Sequence, residues 1–113
     1  MALVTGAQAI QLDVTDSASV KATIMAIPKA HGRLNILVNN AGLMRPAMIA
    51  TSAETDLDAM MDTNIKGAFL CAQWAARLMV AKKSGSIINI TSIMGREGAV
   101  GFSSYAATIH HRP

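Results

Sequence analysis

Two short, largely apolar runs flank a long stretch of helical periodicity, and together they leave this chain few ways to fold. Leu34 to Val38 and Ser86 to Thr91 are too short for helices and show no polar alternation, which reads as strands buried on both faces. Between them, Thr51 or Ser52 is expected to cap a helix with Glu54 and Asp56 in its first turn. That helix keeps Leu57, Met61, Ile65, Ala68, Phe69, Ala72 and Ala76 on one apolar face to about Lys83, where Ser84-Gly85 stops it. Strands alternating with helices predict βαβ units and a parallel sheet, an α/β fold.

Upstream, Asp16 or Ser17 caps a helix running to about His31, with Val20, Ile24 and Ile27 on one face; Pro28 is expected to distort it or end it early. Ala2 to Thr5 reads as a short strand closed by Gly6, and Ile10 to Leu12 as another closed by Asp13. Only Gly6 to Ala9 joins them, a reach of roughly 14 Å at full extension. Parallel neighbours need a crossover of a dozen or more residues. Met1 to Ala9 is therefore expected to form a hairpin with the next segment, to fray, or to be no strand of that sheet.

The 113 residues allow at most one domain, and 51% hydrophobic content with 15% charged residues argues against disorder. The net charge of +3 is scattered and not interleaved with aromatics, so nucleic acid is not an expected partner. No run is long enough to span a membrane, and the N-terminus lacks a secretory pattern, so the cytoplasm is the expected compartment. The lone Cys71 excludes an internal disulfide and, within an apolar pattern, reads as a buried thiol. His31 reads as a helix-end residue and His110-His111 as a solvated tail; no metal set is expected.

In an open parallel sheet, ligands bind outside the carboxyl ends of the strands, where Gly6, Asp13, Gly42 and Ser92 are all expected. Asp13 can accept hydrogen bonds from an adenine amine, or it is an ordinary turn aspartate. Asn39-Asn40-Ala41-Gly42 places small residues where backbone approaches a ligand, or it is a plain turn. Asn64 lies among apolar residues of the long helix, where an amide needs a partner. Ser92 ends a strand on a hydroxyl, and Tyr105 opens the next element, so two hydroxyls can be aimed at one small polar group.

Taken together, these segments resemble the short-chain dehydrogenase/reductase family, of the 3-oxoacyl-reductase-like kind. Ala2-Leu-Val-Thr-Gly-Ala7, Leu12-Asp-Val-Thr-Asp16, Asn35-Ile-Leu-Val-Asn-Asn-Ala-Gly42, Asn64-Ile-Lys-Gly67, Ser92 and Tyr105 carry the resemblance in the family's order. It implies a partial Rossmann-like, doubly wound parallel sheet over a single dinucleotide-binding domain, 1–113. It implies NAD or NADP contacts at Thr5, Gly6, Asp13, Val14, Asn40, Ala41 and Gly42. It also implies a small alcohol or carbonyl substrate, Ser92 and Tyr105 as catalytic hydroxyls, and Asn64 helping to hold a water of the proton relay.

Three departures stand beside the resemblance. The turn after Gly6 lacks the family's two later glycines, and the rest of the first βαβ unit is missing, so NAD and NADP cannot be told apart. A lysine four residues after the tyrosine is replaced by Ile109, on the same helical face. The C-terminal half, with the substrate loops, is also absent, and the Ala7–Gln8 and Thr108–Ile109 junctions look like frame changes or mis-joined gene segments. The expectation is an NAD(P)-dependent oxidoreductase of impaired activity. The alternatives are an inactive module that binds nucleotide weakly, forms a homo-oligomer or pairs with an intact relative, or a truncated product without function.

Overall fold

A computed structural model of the chain describes residues 6–92, 96 and 100–110. Helix α1 spans Ser17–His31 and strand β1 Ile36–Asn39. A 3₁₀ turn at Ile49–Thr51 leads into α2, Glu54–Met60, which runs through a π-helical turn, Met61–Gly67, into α3, Ala68–Lys82. Strand β2, Ser86–Asn89, and helix α4, Ser103–His110, complete the order.

The two strands pair in parallel, with Ile36 opposite Ser86 and Asn39 opposite Asn89. Ser86 N–H donates to the Asn35 carbonyl and Ile90 N–H to the Asn39 carbonyl, both at 3.0 Å, extending the ladder at each end. The α/β class and the long helical crossover are as expected. Burial on both faces is not: Ile36 is 58% exposed, Val38 51% and Ile88 46%. Successive strand residues point to opposite faces. Leu34 and Leu37 pack on the core of Val20, Ile24 and Cys71, whereas no described residue covers the opposite face.

Ile10 to Leu12 forms no strand, nor does any residue from Gly6 to Ala9. Met1 to Thr5 lie outside the described residues, so the parallel pairing argued against above is untested at Leu3. Leu12 and Val14 instead pack as loop side chains against the α1–α3 core.

Asp16 caps α1 as expected, accepting from the amides of Ala18 at 3.0 Å and Ser19 at 3.3 Å. Pro28 does not end the helix, which continues to His31. Proline lacks the N–H that would bond the carbonyl four residues back, but one bond is tolerated with a single turn remaining. The turn closes at Gly32, whose φ of 87° suits glycine and whose N–H donates to the Pro28 carbonyl at 2.8 Å.

Neither Thr51 nor Ser52 caps α2. Ala53 holds that position without a side-chain bond, because Thr51 Oγ1 turns back to the Met48 carbonyl and Ser52 Oγ meets Ser104 Oγ at 3.2 Å. The apolar face is also displaced. Met60, Asn64, Gly67, Ala68, Cys71, Ala75 and Met79 are buried, while Leu57, Met61 and Phe69 are exposed. The helix is apolar on several sides, so periodicity alone does not choose the buried one, and a π-helical turn changes the phase between α2 and α3.

Candidate active site

Two loop segments and the strand ends meet on or beside the π-helical turn, and each is held by a different kind of contact. The segment after β1 is held by Asn64. Its Oδ1 accepts from Leu43 N–H at 2.8 Å and its Nδ2 donates to the Leu43 carbonyl at 2.9 Å. The same Nδ2 donates to Thr108 Oγ1 at 2.8 Å, and Thr108 Oγ1 donates to the Tyr105 carbonyl at 2.8 Å. Asn64 and Thr108 are both 0% exposed. The solvent-facing reading of Asn64 is thus excluded, and the amide has the partners that its burial demands.

The segment before α1 is held by shape. Gly67 packs so closely on Val14 that a Cβ built there would lie 2.7 Å from Val14 Cγ2 and 3.2 Å from the Val14 carbonyl oxygen. The sequence match ended on this glycine; its reason is the close approach of the 12–16 segment.

The strand ends are held by an asparagine pair. Asn39, buried at the end of β1, donates from Nδ2 to the Ala68 carbonyl at 3.1 Å and to Asn89 Oδ1 at 3.0 Å. Sequence reading took Asn39 only as the start of a turn and gave no role to Asn89 or Thr108. The available signal for the two asparagines was a polar residue breaking an apolar strand run; Thr108 gave none.

Asp13 is exposed and committed to Thr15, whose hydroxyl donates to Oδ1 at 2.7 Å and whose amide does so at 2.9 Å. Those two bonds, the hydroxyl first, hold its carboxyl below the usual carboxylate range. This is the geometry of a turn aspartate, with Asp13 Oδ2 left to face solvent or a ligand. Asn40, Ala41 and Gly42 are exposed just beyond β1. Ser92 is half-buried beyond β2, and Tyr105 is half-buried in the first turn of α4. Gly6 is exposed with φ 88° and opens no helix; Thr5 lies outside the described residues. The Cys71 thiol is buried, which pushes its pKa up and keeps it protonated and unreactive.

A cleft of about 420 Å³ lies between α2 and α4, lined by Ile49, Ser52, Leu57, Ser104 and Ala107 among others. None of Asn64, Ser92 and Tyr105 lines it, so volume and chemistry do not coincide here. A dinucleotide fits these residues at one end only. Asn40 to Gly42 are small, exposed residues just beyond β1, where a nucleotide's ring or ribose can approach the backbone. After Gly6 the chain forms no helix before Ser17, so no helix N-terminus follows this turn to supply N–H groups to a pyrophosphate.

The described residues thus form a parallel α/β unit in which a buried asparagine is tied through Thr108 to the turn of a half-buried tyrosine. The profile of the short chain dehydrogenase family matches residues 2–110, and the chain belongs to that family. The 3-oxoacyl-(acyl-carrier-protein) reductase FabG of Staphylococcus aureus is 42% identical over 100 residues, covering 88% of this chain and 41% of that protein. Its counterpart in Thermotoga maritima is 37% identical over 97 residues, 86% of this chain and 39% of that one. Among solved structures, ElxO with NADP bound superposes with a TM-score of 0.87 at 39% identity, covering 90% of this chain and 42% of ElxO. A gluconate 5-dehydrogenase from Burkholderia cenocepacia, in complex with NADP and tartrate, gives 0.84 at 38% identity, with 88% and 39% covered. The chain thus spans about two fifths of the length of these relatives, and its fold is part of their Rossmann-type sheet.

Proposed function

We propose that this chain is an NAD(P)-dependent oxidoreductase of the short-chain type, acting between an alcohol and the corresponding carbonyl compound, with activity weakened at two points. The observation that carries the reading is the buried hydrogen-bonded chain from Leu43 through Asn64 and Thr108 to the turn of Tyr105. Nicotinamide, when bound, supplies or accepts the hydride. The chain's own residues handle the proton: Tyr105 gives it to the substrate oxygen in reduction and takes it in oxidation, while Ser92 donates a hydrogen bond to that oxygen. Asn64 contributes by fixing the backbone after Gly42. Asp13, Val14, Asn40, Ala41 and Gly42 would line the cofactor, with Gly6 toward its phosphates. Ile109 gives Tyr105 no cation, and the missing glycines leave the pyrophosphate poorly held.

The NADP in the ElxO and gluconate dehydrogenase structures supports the cofactor class, and the 3-oxoacyl reductases support a carbonyl substrate. We place the protein in the cytoplasm and read this chain as part of one dinucleotide-binding domain. Fluorescence titration with NADH and NADPH tests the reading. Saturable binding of either is expected, followed by slow reduction of a diketone or acetoacetyl thioester; no saturable binding removes it. A second reading, an inactive module that self-associates or pairs with an intact relative, is favoured by the exposed Ile36, Val38 and Ile88 face. Binding without turnover would decide for that module.

A further inference from the structure

The link between Asn64 and Tyr105 runs through a side chain with no role so far. We propose that Thr108 is a positioning residue for Tyr105, an inference that rests on Tyr105 as the proton carrier. A threonine hydroxyl has one proton to give and two lone pairs. Here the proton goes to the Tyr105 carbonyl and a lone pair takes an Asn64 Nδ2 hydrogen, each at 2.8 Å. Thr108 is fully buried, so water does not replace either bond. Through Asn64 and Leu43, the first turn of α4 is tied to the backbone next to Gly42. With isoleucine at 109, no ammonium orients the tyrosine from the following turn, and the Thr108 hydroxyl sets where that turn sits.

Valine has threonine's shape but neither donor nor acceptor. Thr108→Val therefore leaves an Asn64 amide hydrogen without its acceptor and frees the Tyr105 carbonyl from its side-chain donor. Thr108→Ser keeps the oxygen in place. The chain contains one tyrosine and one tryptophan, so selectively labelled ring resonances report each site separately, and Trp74, whose ring carries Lys21 and Arg77 over it, serves as the control. Thr108→Val is expected to shift or broaden the Tyr105 line while the Trp74 line stays in place, and Thr108→Ser to leave both at their original positions. An unmoved Tyr105 line, equal displacement of both lines, or a serine variant as displaced as the valine one would overturn the proposal. Should the valine variant not fold, the serine variant decides alone: a retained Tyr105 line supports the role and a displaced one overturns it. In turnover, the valine variant lowers kcat at unchanged KM, and the reverse pattern counts against positioning. The ring lines are read without cofactor, so failure of NADPH to bind would overturn the functional reading and leave this result to be judged separately.

Discussion

Asn64 sits fully buried in a largely apolar helix because each polar end of its amide is occupied; an orphaned one would cost about 1–3 kcal/mol. Ile109 shows the opposite choice, an apolar residue on the tyrosine's face and only 3% exposed. Ile109→Lys gives up isoleucine burial worth about 2–3 kcal/mol and introduces an ammonium on the Tyr105 face. Diketone turnover is expected to rise while the thermal midpoint falls. A rate no higher than that of the wild type in steady-state assays would assign the block to the missing glycines. Asp13 carries the pH dependence that the structure shows. Its carboxyl is depressed by Thr15, so the stabilisation is complete above the unfolded value of about 3.9. It is lost as pH falls through the lower folded value. Protection of the Thr15 amide from hydrogen exchange is expected to drop below about pH 4 in the wild type, and Asp13→Asn is expected to show no such step.

At the scale of elements, the π-helical turn is the junction on which the 12–16 segment, the backbone at Leu43 and helix α4 all rest. Gly67→Ala is expected to destabilise the fold by about 1–3 kcal/mol, because its Cβ meets Val14 side chain and backbone together and neither is a flexible end. Urea unfolding measures this, and a change below about 0.5 kcal/mol would mean that the 12–16 segment moves aside freely. Much of the element order was legible. The Asp16 cap, the crossover helix and the two short strands follow from hydrogen-bonding chemistry and periodicity acting over a few residues. The cap of α2 was not legible, since the Ser52 hydroxyl is drawn to Ser104, far away in sequence. The buried face of α2–α3 was not legible either, since a π-helical phase change is set by packing.

At the scale of the whole molecule, the described residues cover the sheet on one side. A folded monomer of 11.9 kDa exposes about 5,900 Å², whereas this chain exposes 7516 Å². Its radius of gyration of 15.7 Å exceeds the ~13 Å of a compact domain of this length. Ile36, Val38 and Ile88 account for part of the excess and form an apolar patch of the kind that drives association. Val38→Lys is expected to reduce light scattering at high concentration and to change the urea midpoint little; equal scattering would mean that association uses another surface. The sequence by itself determined the class and the family and singled out Ser92, Asn64 and Tyr105, because motif order and local periodicity are properties of neighbouring residues. Only the tertiary structure decided which face of each element is buried, why residue 67 is glycine, and that Thr108 connects the asparagine to the tyrosine. Those facts depend on contacts between residues distant along the chain, and no local pattern encodes them.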